Sequence, residues 1–541
     1  MIAKSQNSFW RAICYLIAIT LLTPLVVLLI QGGRASTSLF SHLWQTVLPD
    51  YIANTLILGV GVVLLSLVFG VISAALIVYT NVKWKNTLRW LLMLPLAMPA
   101  YIVAYLYTDF FDYAGPVQRA LRTLFEWNSP ADYMFFDLRT LGGAVIIITF
   151  VLYPYIYMLA RTAFEEQDQN LLRASRTLGY STFQSLIKVA LPLARPAIAV
   201  AASLVLMEAL ADFATVQYFA VNTLTTAIYD TWLGYSDLAA ANALASVLML
   251  FIFFVIVIER RARAGQLHQS NRVNKNQQLI ILPKFWQIIA STFCWFLVIA
   301  GFILPFSLLV IMVWEYGSYE QLLSLIPMGS NSIKIAIWAA SLTVVVALII
   351  SLFKRLSNDR FSALPLHITG MGYAIPGTVL AMAMMSTFAP IDYMINDIAA
   401  YFNQPEPGLL LSGSIFAIIF SYIVRFSAIA NGTIDSGISQ ISKSLDNAPS
   451  SLGVGLPKML TKVHLPLLKP SILVAWLLVF VETMKELPTV LLLRPFNFET
   501  LSTQIYQLIS DEMLEQGALG AIFIVILGLL PIMWLNRDPK A

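Results

Sequence analysis

The sequence predicts an all-α polytopic membrane protein of about 12 transmembrane helices, arranged as two parallel six-helix repeats. Three observations predict it. Hydrophobic residues make up 59% of the 541 positions and charged residues only 11%, far from the roughly half apolar, quarter charged mix of a soluble domain. The apolar residues gather into runs of the ~20 residues that cross a ~30 Å hydrocarbon core as helix. One polar loop occurs twice, as Leu172-Arg-Ala-Ser-Arg-Thr-Leu-Gly179 ending in Val189-Ala-Leu-Pro192, and as Asp446-Asn-Ala-Pro-Ser-Ser-Leu-Gly453 ending in Val463-His-Leu-Pro466.

The candidate spans lie near residues 10–31, 52–79, 88–108, 141–162, 197–218, 238–258, 286–314, 332–353, 362–388, 412–430, 471–491 and 518–536. Several contain Gly or Pro, which membrane helices tolerate where neighbours satisfy the freed backbone groups. A β-barrel is excluded, because barrel strands alternate apolar and polar residues over about ten positions. The spans leave no room for a large soluble domain. The positive, apolar N-terminal stretch is too long for the core of a signal peptide and no small-x-small site follows it, so a retained first helix is expected. Cys14 and Cys294 fall inside spans and are expected to be buried free thiols.

Orientation follows from Lys and Arg. With the N-terminus inside, 26 of the 33 fall in cytoplasmic segments or at the inner ends of helices, six fall outside, and Lys485 lies within a span. That is the asymmetry of the positive-inside rule. Both termini and both repeated loops are therefore expected in the cytoplasm. The net charge of +4 has this topological cause and does not point to nucleic acid.

The repeat extends beyond the loops. Asn54-Thr55 opens the second span and Asn331-Ser332 the eighth, 277 residues later. At the same offset Ala97-Met-Pro99 parallels Ala374-Ile-Pro376, and Leu224-Thr-Thr-Ala-Ile-Tyr229 parallels Leu501-Ser-Thr-Gln-Ile-Tyr506; the loops themselves are offset by 274. The chain thus divides into a first half over 1–259, a linker over 260–284 and a second half over 285–541. Six helices per half is an even number, so both halves enter from the same side and are parallel repeats about an axis along the membrane normal.

Both loops read as helix, turn, helix. Gln167 to Leu178 and Ile438 to Leu452 supply the first helices, and Gly179 and Gly453 the stops, where a left-handed backbone costs glycine little. Within the following spans, Glu208 and Asp212 recur as Glu482 and Glu486, again 274 residues on. A spacing of four places each pair on one helix face. Intramembrane carboxylates cost a few kcal/mol each and face a cavity or a partner. Four at duplicated positions would ring a pseudo-twofold axis. One reading is a path for a hard cation, which favours oxygen ligands; the other is structural pairing, with Lys485 neutralising Glu482 or Glu486 and Arg425 serving another partner. His42, His268, His367 and His464 do not cluster in sequence, and no metal site is assigned.

The loop pattern resembles the EAA loop of binding-protein-dependent ABC importer permeases: Glu-Ala-Ala, three residues, Gly, nine residues, Ile, one residue, Leu-Pro. Ala174 and Ala448 match its first Ala, Gly179 and Gly453 the Gly, Val189 and Val463 the Ile, and Leu191-Pro192 and Leu465-Pro466 the close. The Glu is replaced by Arg173 and Asn447, and the second Ala by Ser175 and Pro449. The segments Ala209 to Phe219, Leu224 to Trp232, Val481 to Val490 and Leu493 to Asn497 resemble the fused ferric-iron permeases of Gram-negative bacteria; thiamine permeases are similar.

The resemblance implies a type I ABC importer permease fold in the bacterial inner membrane, forming the whole translocation pore for ferric iron, with thiamine or another cationic solute as the alternative. It implies that the EAA loops dock on two copies of an ABC ATPase subunit and that a periplasmic solute-binding protein delivers the cargo. The chain has no Gly-x-x-x-x-Gly-Lys-Ser/Thr loop, so it is expected to catalyse nothing and to bind no cofactor, ATP and Mg belonging to the partner ATPase. A proton-coupled secondary transporter, in which the carboxylates relay protons, is the rival from another class.

Overall fold

The structure is a computed structural model that describes residues 4–34, 37–263, 280–357, 361–442, 444–446 and 456–535. Among these, the regular structure is helical, and the one β feature is an isolated bridge between Thr80 and Ile280. The spanning helices are α1 (Lys4–Gly33), α2 (Leu48–Tyr79), α3 (Ala100–Phe111), α4 (Leu141–Glu165), α5 (Leu191–Ala211), α6 (Leu238–Arg263), α7 (Lys284–Tyr316), α8 (Tyr319–Leu356), α9 (Gly377–Tyr401), α10 (Ile415–Gln440), α11 (Leu465–Lys485) and α12 (Leu514–Leu535). Eleven of the spans are continuous helices long and apolar enough to cross a membrane; the third is a broken pair, Lys85–Ala97 and Ala100–Phe125, bent by 94°. The chain is a multi-pass membrane protein.

The bend has a local cause that the repeat shares. Pro99 and Pro376 stand just before α3 and α9, and a proline pushes the preceding residue out of the helical region. Met98 (φ −88°, ψ 123°) and Ile375 (φ −87°, ψ 125°) are accordingly extended, each after a single turn of 3₁₀-helix. The ninth span consequently runs over Gly377–Tyr401 rather than near 362–388: residues 364–369 form a separate short helix and the long helix starts only after Pro376.

The chain packs as two compact units that cut across its halves. One holds residues 43–227, 250–321 and 505–541, that is α2 to α5, the end of α6, α7 and α12. Here α2 lies along α4 and α5, and Tyr107 of α3 donates to Ala300 O of α7 at 2.5 Å. The other holds residues 1–42, 228–249 and 322–504, that is α1, the start of α6 and α8 to α11. A buried amide network ties α1 into it: Gln31 donates to Ser386 O at 3.1 Å, Asn242 donates to Gln31 at 3.0 Å, and Ser386 donates to Asn242 at 2.9 Å. Polar groups that close on one another in this way escape the cost of unsatisfied polar atoms in an apolar surround. Cys14 and Cys294 are buried free thiols.

Candidate functional site

The first repeated loop is a compact hairpin. Asp168 caps its opening helix, Gln169–Thr177, by accepting from Asn170 N at 2.9 Å. Gly179 then takes φ +91°, while Gly179 N donates to Arg176 O and Tyr180 N to Ser175 O. A Cβ on Gly179 would meet nothing within 4 Å, so the backbone conformation, and not space, demands glycine here. Ser181 and Gln184 bond each other's backbone N–H at 3.2 and 3.0 Å, a capping box that starts the return helix Thr182–Ser185. Ser175 Oγ donates to Ser185 Oγ at 2.7 Å and joins the two arms. That bond gives a reason for serine where the EAA pattern has its second Ala. Ala174 is exposed, as are Leu178 (80%) and Phe183 (70%) beside Arg173 and Arg176.

The hairpin passes into α5 through a π-turn, Leu186–Ala190, in which Leu191 N donates to Leu186 O. Pro192 has no N–H to offer Lys188 O, and in an α-turn its ring would crowd that carbonyl; the wider turn accommodates it. Val189, Leu191 and Pro192 are half-buried around this turn. The same device recurs 274 residues later: the helix Leu456–Met459, the π-turn Leu460–His464 with Leu465 N donating to Leu460 O, then α11. Val463 is half-buried there, Leu465 and Pro466 exposed. Ala448 and Gly453 lie outside the described residues, as does most of the first helix expected over 438–452; Ile438 belongs instead to the end of α10, which stops at Gln440.

The four carboxylates resolve into two kinds. α5 ends at Ala211 and α11 at Lys485, earlier than the spans expected to 218 and 491. Asp212 (φ −64°, ψ 129°) and Glu486 (φ −67°, ψ 129°) are the breaking residues, each followed by a short helix, Ala214–Tyr218 or Pro488–Leu493. Asp212 accepts from Thr215 N at 3.0 Å, Thr215 Oγ1 at 2.9 Å and Val216 N at 3.3 Å. Glu486 accepts from Thr489 N at 3.1 Å and Thr489 Oγ1 at 2.6 Å. Both side chains thus cap the next helix, where carboxylate and helix dipole attract.

The two caps differ in charge balance. Glu486 is buried against Arg425 Nη1 at 3.2 Å and the Tyr422 hydroxyl at 3.1 Å, so Arg425 is its ion-pair partner. The positions 274 residues before Arg425 and Tyr422 hold Val151 and Ile148, which supply neither charge nor donor. Glu208 and Glu482 sit one turn before the breaks and are half-buried; Lys485 Nζ lies 3.5 Å from Glu482.

The repeated Asn-Thr and Asn-Ser dipeptides brace the breaks. Asn54 donates to Asn222 O at 2.9 Å and Asn331 to Glu499 O at 3.0 Å. Thr55 Oγ1 accepts from Leu224 N at 3.0 Å, and Ser332 Oγ from Leu501 N at 2.8 Å. Sequence reasoning found these dipeptides only as a repeat; their matched offsets to Leu224 and Leu501 were the available signal. Thr215, Thr489 and Tyr422 were missed, because a hydroxyl in an apolar run carries no signature of its partner.

A membrane chain with two copies of one loop, π-turn and broken helix has the construction of an ABC importer permease. Residues 66–264 and 344–537 each match the family described as binding-protein-dependent transport system inner membrane component. The chain belongs to that family, carrying its domain twice. It is 25% identical to the Fe(3+)-transport system permease protein FbpB 2 of Haemophilus influenzae over 98% of both chains. It is also 25% identical to the putative ferric transport system permease protein FbpB 1 of the same organism, over 86% of this chain and 73% of that one. The ferric transport system permease protein FbpB of Actinobacillus pleuropneumoniae is 25% identical over 92% of this chain and 73% of its own length.

Proposed function

We propose that this permease forms the whole translocation pore of an ATP-driven importer of ferric iron. The single observation that carries the cargo is the end-to-end similarity to an Fe(3+)-transport permease, with both loops in register. A periplasmic binding protein delivers the iron at the outer face, and two copies of an ATPase subunit, which hold ATP and Mg, receive the loops at the inner face. Both termini are cytoplasmic, and the halves of the pore are residues 1–259 and 285–541, joined by 260–284. The chain itself breaks no bond.

The residues of the first loop support a mechanical role. Its apolar knob at Leu178 and Phe183 is exposed, its arms are tied by Ser175 and Ser185, and Gly179 sets the turn between them. A push on such a knob passes through the π-turn at Val189, Leu191 and Pro192 into α5, and the pattern Val463, Leu465 and Pro466 provides the same route into α11. Ala174 and Ala448 let the partner approach closely, and Gly453 sets the second turn. Each helix ends at a carboxylate-capped break, so a shift of α5 or α11 is delivered at Asp212 or Glu486, with Glu208 and Glu482 one turn away to meet a passing cation.

The test is uptake by vesicles containing the chain, its ATPase and the loaded binding protein. Labelled ferric iron accumulates only with ATP inside the reaction and with the binding protein present. Accumulation of thiamine instead, or iron uptake that ignores ATP and collapses with an uncoupler, overturns the proposal.

A further inference from the structure

The two loops are anchored by different chemistry at corresponding places. In the unit that contains the first loop, Tyr79, the last residue of α2, donates its O–H to Gln167 Oε1 at 2.9 Å. Gln167 Nε2 in turn donates to the carbonyl of Ala190, the last residue of the π-turn, at 2.8 Å. The anchor is a neutral relay of two hydrogen bonds. The positions at the repeat offsets are Leu356 and Ile441, neither of which can form a side-chain hydrogen bond.

In the other unit the end of α8 supplies Arg355 instead. Its Nε donates to Asp446 Oδ2 at 2.9 Å, its Nη1 to Ile438 O at 2.5 Å and its Nη2 to Ile441 O at 3.0 Å. One guanidinium thereby closes the carbonyl end of α10, where a cation is favoured, and grips the loop that follows. Asp446 Oδ1 also lies 3.2 Å from Nε2 of His464, the last residue of the second π-turn, without the alignment of a hydrogen bond. Lys354 adds contacts of 2.9 and 2.8 Å to Asp435. Arg355 and Asp446 are only 10% and 17% exposed, so this is not a loose surface pair.

We propose that Arg355 and Asp446 are positioning residues for coupling: an ionic clamp that makes the second loop and the end of α8 move as one piece, while the first loop hangs on a neutral relay. This rests on reading the loops as ATPase-docking elements. A charge-assisted fork holds about twice as strongly as neutral bonds, so the second loop is the stiffer of the two levers. Without the clamp it still docks but transmits poorly, and ATP is spent without transport.

The experiment measures iron imported per ATP hydrolysed in vesicles with the complete transporter. Asp446→Asn and Arg355→Lys each lower the ratio about fivefold or more, as expected for loss of a coupling free energy, at equal reconstituted amounts and with the ATPase still bound. Loss of ATPase binding, or an unchanged ratio, overturns the clamp. A second measurement uses the wild-type chain alone: raising salt from about 0.05 to 0.5 M shortens the screening length severalfold and speeds hydrogen exchange at residues 438–464 more than at 167–190. An equal response of both segments overturns the clamp whether or not the variants fold. If the wild type shows no ATP-driven uptake, the coupling reading falls and the clamp with it; ATP-driven uptake with unchanged variants removes the clamp alone.

Discussion

Arg425 of α10 lies 3.2 Å from Glu486, the residue at which α11 breaks, and the Tyr422 hydroxyl completes the carboxylate's surroundings at 3.1 Å. A buried pair of this kind is costly to break from one side, because the remaining charge stays buried without its counterion. Arg425→Met is expected to destabilise the protein by about 3–5 kcal/mol. Adding Glu486→Gln to it recovers much of the loss, since the amide oxygen still accepts from Thr489. Thermal unfolding of the detergent-solubilised single and double variants checks this; a double variant no more stable than the single contradicts it.

Asp212, with no corresponding cation at Val151, is expected to act mainly as a cap. Asp212→Asn keeps an acceptor for Thr215 N and is nearly neutral, whereas Asp212→Ala costs about 1 kcal/mol, up to ~2. The ordering of the two variants in unfolding temperature is the check. Equal loss in both points instead to a role for the charge.

Gly179 stands at φ +91° with open space around it, so any side chain strains the backbone without a clash. Gly179→Val combined with Gly453→Val is expected to leave the chain in the membrane while abolishing ATP-driven uptake. Membrane content by immunoblot and uptake in vesicles are measured together. Uptake at the wild-type rate refutes the role assigned to the loops.

Ser175→Ala removes the 2.7 Å bond between the loop's arms and leaves Ser185 its bond to Ser181 O at 3.0 Å. The expected cost is about 1 kcal/mol, confined to the loop. Hydrogen exchange over residues 168–190 should rise with the rest of α4 and α5 unchanged. A change spread over both helices would mean that the bond supports more than the hairpin.

Much of this was legible from residue order because membrane helices and loop repeats are local signals. Apolar runs of fixed length marked the spans, and the Ala, Gly and Leu-Pro spacing located both loops before their π-turns were visible. The breaks at Asp212 and Glu486 were not legible. An acid four residues after another acid suggests a shared helix face, and only the backbone at ψ 129° reveals that the helix has already ended. Nor was the choice of Arg425 for Glu486 and Lys485 for Glu482 decidable, since both cations were within plausible reach in sequence.

The sequence by itself determined the solvent, the number of spans, the duplication and the family, because hydropathy and short motifs depend on residues close together along the chain. Tertiary structure decided which helices share a compact unit. α1 joins α8 to α11, and α7 and α12 join α2 to α5, through contacts such as Gln31 with Ser386 and Tyr107 with Ala300. Those pairs stand 355 and 193 residues apart, and no local pattern records a partner at that distance. Tertiary structure likewise decided that one loop is held by Gln167 and the other by Arg355, since a hydrogen-bond donor acquires its acceptor only when the chain has folded.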